Sequence, residues 1–288
     1  MRPRHILLLL LLALVAGYGG ARFASPQTDN AVAAQRESAY ERVMRTSELR
    51  CGYMLYEPMV YRDPNSGAFS GIAVDLAAEL GKLLNIKFIW AEETGWGTAI
   101  EGLRSGRYDA LCVGFWRLAA EGKYLYYTLP FAYSLNEILV RSDDTRFDGD
   151  LSAINDPKVR IVSVDGMEAS RIARRDFPRA QLLELPNLQG DSDMMEAVAN
   201  NKADVTFIEA ATSDRYSATN PNKLKKLKLP TPIRIYQNTF ALPQDERLKA
   251  MLDTALNNLV EDGGMDAILD RYDPKRQNLL RIKRPSLQ

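Results

Sequence analysis

At 288 residues, with 46% hydrophobic and 26% charged residues, the chain suits one large or two modest globular domains. Its 37 basic and 37 acidic residues cancel to a formal net charge of zero. That argues against nucleic acid as the main partner, because phosphate binding needs a basic surplus or patch. The single histidine is His5, so the body of the chain has no imidazole for general-base work or metal binding, which removes most hydrolase schemes. No P-loop, CxxC or Gly-rich dinucleotide pattern occurs. The expectation is a protein without a cofactor, without a metal and without enzymatic activity.

The chain opens with Arg2, Arg4 and His5, continues as the apolar run Ile6 to Val15, and then shows the small residues Ala16, Gly17, Gly19, Gly20 and Ala21. This is the order of an export signal. A secure membrane span needs about 20 apolar residues, more than this run supplies. Residues 1–24 are therefore expected to be a signal peptide, or an uncleaved N-terminal anchor that tethers the body to the inner membrane. Residues 25–48 read as a polar, partly helical stalk with apolar residues too sparse for a core face.

From Leu49 the pattern alternates strands and helices. Leu49 to Tyr53 is a predicted strand, and Tyr56, Pro58 and Tyr61 lie in an irregular loop. Gly71 to Leu84 has the apolar spacing of an amphipathic helix, with Ile72, Leu76, Leu80 and Leu83 in phase. A strand follows at Ile86 to Trp90, a helix at Thr98 to Arg104, and a buried strand at Ala110 to Val113 that breaks at Gly114. This β-α-β-α-β order implies a parallel sheet. Ligands of open α/β sheets sit beyond the carboxyl ends of the strands. Trp116 and Arg117, just past Gly114, are thus candidates for a site, against the plainer reading of a core cap and a solvated charge.

Asn136 to Arg141 is the next predicted strand, and the polar stretch Ser142 to Asp150 suits a crossing between lobes. A second β/α series then runs through strands at Val159 to Val164, Gln181 to Leu185 and Val205 to Ile208, with helices at Met167 to Arg175, Asp191 to Asn200 and Glu209 to Ala218. Leu224 to Leu229 reads as a lysine-rich edge strand. Ile233 to Leu242 is strand-like and suits a return to the first lobe. Asp245 to Val260 and Met265 to Tyr272 are predicted helices, and the basic tail from Pro274 reads as a mobile end. Cys51 and Cys112 both fall in predicted strands; in an exported protein they form either a disulfide or two buried thiols.

The ordered series LRCGY, YEPMVY, GIAVDLAAELGKLLNIKFIW, GLRSGRYDALCVGF, LPF, KADVTFIEA, NPNKLKKL and FALPQDERLKAMLDTALNNLVEDGGMDAIL resembles the bacterial extracellular solute-binding proteins of family 3, the amino-acid-binding components of ABC importers. The resemblance covers Leu49 to Asp273. It implies an α/β, two-lobed periplasmic binding protein fold of type II, each lobe a mostly parallel sheet flanked by helices, joined by a two-strand hinge. Lobe 1 would comprise residues 49–141 and 233–273, lobe 2 residues 142–232, and the tail residues 274–288. The implied mechanism is capture by lobe closure, with a membrane permease reading the closed state.

Carried over one by one, the family's pocket rings fall on Tyr53, Tyr56 and Trp96. The acid that grips an α-amino group in the family falls on Glu209, which would also begin a helix, where a carboxylate favours the helix dipole. Two positions depart from the pattern. The Ser or Thr and the Arg that hold an α-carboxylate in the family are here Trp116 and Glu121. The hydroxyl-bearing turn of lobe 2 reads Gly166-Met167-Glu168. Arg117 is the nearest replacement for the missing arginine, with a planar fork suited to a carboxylate. Aromatic faces with the carboxylates of Glu168 and Glu209 suit a cation. The expected ligand is a cationic or zwitterionic nitrogen compound; the competing expectation is an organic acid held by Arg117. The expected protein is a periplasmic monomer that delivers its ligand to an ABC transporter permease. The alternatives are a membrane-anchored sensing module and a dehydratase-like enzyme on the same scaffold.

Overall fold

The computed structural model describes residues 37–186 and 189–283. The expected signal or anchor and the first part of the stalk lie outside the described residues, as do residues 284–288 of the tail. Among the described residues no helix is long and apolar enough to cross a membrane.

The first part of the chain builds α1 (Ala39–Thr46), β1 (Glu48–Tyr53), the short hairpin of β2 (Tyr61–Arg62) and β3 (Phe69–Ser70), α2 (Ile72–Leu84), β4 (Lys87–Glu93), α3 (Ala99–Ser105) and β5 (Ala110–Trp116). It continues through β6 (Tyr126–Tyr127) to the long strand β7 (Ala132–Arg141). The second series is β8 (Arg160–Val164), α4 (Glu168–Asp176), β9 (Gln181–Leu185), α5 (Asp191–Ala199), β10 (Val205–Glu209), α6 (Ala210–Thr219) and β11 (Leu224–Lys226). The chain returns along β12 (Arg234–Leu242) and closes with α7 (Glu246–Glu261), α8 (Gly264–Tyr272) and β13 (Leu279–Leu280).

The strands form one continuous sheet in the order β4-β1-β5-β12-β7-β10-β8-β9. Its two ends are parallel: β1 pairs with β4 and β5, and β8 with β9 and β10. Between them β12 and β7 run antiparallel, from Arg234 opposite Asn136 to Asn238 opposite Ala132. These two strands are the crossing. Apolar side chains segregate into two clusters on either side of it. One spans Val43 to Ala132 and Phe240 to Leu279; the other spans Ile138 to Leu227. The α/β two-lobed expectation therefore holds. The helices behave as their spacing predicts. Ile72, Leu76 and Leu80 bury one face of α2, and Asn85 ends it in the left-handed conformation at φ 52°. Asp245 caps α7 by accepting from the amides of Arg247 and Leu248, both at 3.1 Å.

Three boundaries differ from the sequence reading. First, β5 continues past Gly114 to Trp116, and Gly114 lies inside the strand. A Cβ there would stand 3.0 Å from Asn238 Oδ1 and 3.0 Å from Met59, so glycine permits a close approach of β5 to its neighbours. Second, the end of the stalk is not free. Val43 of α1 is fully buried in the first cluster, Arg42 pairs with Asp109, and the Tyr40 amide donates to Asp245 at 2.9 Å. Third, the tail is docked through residue 281. Asp273 accepts from the amides of Gln277, Asn278 and Leu279 at 3.0–3.2 Å and from Arg281 at 2.9 Å. Leu279 is buried, and β13 pairs with β7 at Ser134 and Tyr133.

Cys51 and Cys112 form a disulfide across the neighbouring parallel strands β1 and β5, which resolves the two readings of the pair. The 61-residue separation makes it a long-range staple within the first cluster.

Candidate functional site

Directly paired residues of antiparallel strands point to one face of a sheet. Register therefore brings together side chains distant in sequence. Trp116 of β5 lies opposite Asn238 of β12, Tyr236 of β12 opposite Ser134 of β7, and Asn136 of β7 opposite Glu209 of β10. All lie where the strands cross between the two clusters.

At the floor of this crossing Ser134 links two of them. Its hydroxyl donates to Glu209 Oε1 and accepts from Asn238 Nδ2 at 2.7 Å. The second atoms of these groups are left over. Glu209 Oε2, Asn136 Oδ1, Asn238 Oδ1 and Trp116 Nε1 are shielded from solvent with no hydrogen-bond partner. Each such group costs about 1–3 kcal/mol if nothing meets it. Glu209 is 4% exposed and no cation among the described residues is paired with it, so burial pushes its carboxyl up to about 8. The two asparagine oxygens are acceptors, and Glu209 Oε2 becomes a third once the carboxyl ionises. The chemistry of this floor is complementary to a donor-rich, positively charged group.

A second layer bridges the lobes. Trp116 and Tyr236 stack with ring centroids 4.3 Å apart and planes 12° from parallel. The Tyr236 hydroxyl donates to Glu168 Oε1 at 2.5 Å, and Arg171 donates to Glu168 Oε2 at 3.1 Å. Burial first, and then the Glu168 carboxylate, hold the Tyr236 hydroxyl far above its ordinary range. Glu121 reaches the same region. Tyr127 donates to it at 3.3 Å, and burial raises its carboxyl while the charge of Arg171 opposes the rise. At the rim Tyr56 and Trp96 meet edge to face at 6.1 Å, and Trp96 also lies 5.7 Å from Phe115. Glu57, in the Tyr56 loop, pairs with Arg215 of α6 at 2.5 Å and ties the two lobes at the surface.

The structure distributes the sequence candidates unevenly. Gly114, Trp116, Glu168 and Glu209 gather at the crossing, and Tyr56 and Trp96 stand at its rim. Tyr53 does not join them: it is 5% exposed and packs edge to face against Phe69 and Trp90 inside the first cluster. Arg117 does not present a free fork. Its Nη2 donates to the Thr128 carbonyl at 2.8 Å and its guanidinium lies over the Tyr127 ring. Sequence reasoning missed Ser134, Asn136, Tyr236 and Asn238. The available signal was asparagine in otherwise apolar or aromatic strands, where it is depleted unless it has a polar task.

A profile of the bacterial extracellular solute-binding proteins, family 3, matches residues 49–275. The L-cystine-binding protein TcyA of Bacillus subtilis (strain 168) is 22% identical over 222 residues, covering 75% of this chain and 77% of that protein. Among solved structures, the ancestral amino acid-binding protein AncCDT-1, described as a precursor of cyclohexadienyl dehydratase, superposes with a TM-score of 0.69 at 21% identity, over 82% of this chain and 99% of that one. A putative binding component of an ABC transporter from Wolinella succinogenes DSM 1740, complexed with lysine, gives a TM-score of 0.68 at 23% identity, over 78% of this chain and 95% of that one. These likenesses show the type II periplasmic binding protein fold.

Proposed function

Because the chain belongs to the bacterial extracellular solute-binding proteins of family 3, we propose that it captures a small, amino-acid-like cationic or zwitterionic nitrogen compound between its lobes and delivers it to the permease of an ABC importer. It would act as a periplasmic monomer without chemistry on the solute. The observation that carries this reading is the unpartnered Oε2 of Glu209, buried beside the unpartnered amide oxygens of Asn136 and Asn238. An ammonium group brings several N–H donors and the positive charge that this carboxyl lacks.

Hydrogen bonds to a charged group contribute about 1.5–3 kcal/mol each. Trp116 and Tyr236 would wall the cation, with cation–π attraction of roughly 0.5–2 kcal/mol for a good contact. Solute contacts made only when α6 and the crossing strands approach would favour the closed state, which is the differential affinity that closure requires. The pairs Glu57–Arg215 and Tyr236–Glu168, already formed between the lobes, would help to hold that state.

Thermal-shift and calorimetric screening of the full chain against amines, betaines, amino acids and organic acids tests this. Stabilisation is expected from cationic compounds and is expected to vanish in Glu209→Gln. Stabilisation confined to organic acids would sink the reading, and a mass change in a bound compound would replace capture with catalysis.

A further inference from the structure

Strands β8, β9 and β10 run parallel, and each leads into a helix. The helices α4, α5 and α6 therefore all begin at the same edge of the second lobe. The Tyr236–Glu168 hydrogen bond and the Ser134–Glu209 contact place the starts of α4 and α6 against the crossing. A helix start offers unsatisfied amides and the positive end of a dipole, and is the natural place for a solute carboxylate. Here each start carries an acid of its own: Glu168 is the first residue of α4, Asp191 the first of α5, and Glu209 the N-cap of α6.

The arginines nearest this edge are engaged, one of them with an acid of this set. Arg171 binds Glu168 and the Gly166 carbonyl, Arg215 binds Glu57, Arg234 binds Asp176, and Arg117 binds the Thr128 carbonyl. Asp191 has no basic partner among the described residues. It is only partly shielded at its surface, yet the protein crowded around it pushes its carboxyl up to about 6. A carboxylate arriving at this edge meets the neutral Glu209 carboxyl, Asp191, and a Glu168 that already holds Arg171; among these described residues no guanidinium is left for it. An ammonium or guanidinium meets the unpartnered Oε2 of Glu209 and the two orphaned amide oxygens.

We infer that the solute is an amine or guanidine that carries no carboxylate, and that Glu168, which already occupies Arg171, together with Asp191 disfavours the amino acid corresponding to it. This rests on the reading of the site as a receptor for a cation and narrows its class. The solute's positive group is held at Glu209, and the carbon that would bear an α-carboxylate in an amino acid faces the start of α4. Glu168 acts there as the discriminating residue, by keeping Arg171 from a solute carboxylate and adding a negative charge of its own, not by touching the solute.

Matched pairs differing only in the carboxylate provide the test: 1,5-diaminopentane against L-lysine, and agmatine against L-arginine. Dissociation constants are measured by calorimetry on the full chain, stripped of bound solute by unfolding and refolding. The amine of each pair is expected to bind at least tenfold tighter. Glu168→Gln is expected to narrow that ratio by about tenfold, the effect of about 1.4 kcal/mol. A purely structural role for Glu168 would weaken both members of a pair alike and leave the ratio unchanged, which counts against the assignment. Equal or tighter binding of the amino acids overturns the inference while leaving cation capture intact. Failure of every cation to bind, with organic acids binding instead, overturns the parent reading and this inference together.

Discussion

Tyr236, on a strand that crosses between the lobes, donates its hydroxyl to Glu168 at the start of α4, 2.5 Å away, while its ring lies flat on Trp116 of the other lobe. One side chain thus touches both walls and the strand between them. Replacing it with phenylalanine keeps the stack and removes the bond to a carboxylate, which contributes about 1.5–3 kcal/mol. Tyr236→Phe is expected to lower stability by that amount and to enlarge the solute-free radius of gyration in X-ray scattering. An unchanged radius would show that the bond does not hold the lobes together.

The pH response of Glu209 has a definite sign. Its carboxyl titrates at about 8 in the folded protein against an ordinary 4.5. Below 4.5 both states keep the proton and the residue is neutral to stability. Between about 4.5 and 8 the unfolded chain ionises while the folded one does not, so the wild type loses roughly 1.4 kcal/mol per pH unit from this group. Glu209→Gln has nothing to titrate there. Urea denaturation from pH 4 to 9 is expected to show the variant gaining on the wild type across that window, and parallel curves would refute the assignment.

The disulfide closes a loop with a sequence separation of 61 residues. The chain-entropy relation gives roughly 4 kcal/mol for a loop of that length. A reductant, or the double variant Cys51→Ala with Cys112→Ala, is expected to shift the denaturation midpoint downward. Both cysteines belong to the first cluster, so hydrogen exchange is expected to rise in β1 and β5 and not in β8 or β10.

Two aspartates play matching roles in the two lobes. Asp109, just before β5, accepts the Arg50 amide at 2.7 Å and its Nε at 3.2 Å. Asp204, just before β10, accepts the Arg160 amide at 2.9 Å and its Nε at 3.0 Å. Burial works to raise the Asp204 carboxyl, but the bonds from Arg160 and Arg146 outweigh it and hold the group well below the usual carboxylate range. Asp109→Ala and Asp204→Ala are each expected to cost about 1–3 kcal/mol, since each removes charge-assisted bonds to a backbone amide and to arginines that solvent can largely rehydrate. Chemical denaturation reads this directly, and losses under 1 kcal/mol would show that these pairs are dispensable.

That pairing also marks how far the sequence was legible. The helices and parallel strands follow from local spacing, which survives in isolation: α2 and α7 bury the residues their periodicity selects. The internal likeness of the lobes rests on an aspartate and an arginine about 45 to 60 residues apart, so no local pattern exposes it. Long-range contacts likewise account for the misread ends. One apolar residue, Val43, anchors α1 because Arg42 finds Asp109, and Leu279 anchors the tail because Asp273 gathers the preceding amides. At the site, Tyr53 was misplaced because the β2–β3 hairpin brings Phe69 over its ring. Ser134, Asn136, Tyr236 and Asn238 become neighbours only through strand register, which composition does not encode.

The pairing of β7 with β12 has a consequence for how such a protein can change. The chain leaves for the second cluster along β7 and comes back along β12, and these strands lie side by side, with the Ile233 amide bonded to the Asn136 carbonyl at 3.2 Å. The second lobe is thus a cassette with adjacent splice points. Exchanging it for the equivalent cassette of a relative would replace Glu168, Asp191 and Glu209 in one step, while leaving the disulfide, α1 and the docked tail untouched. With the proposed site, solute preference could be rewritten from one half of the molecule, with the Tyr236–Glu168 and Glu57–Arg215 contacts the ones to be remade across the boundary.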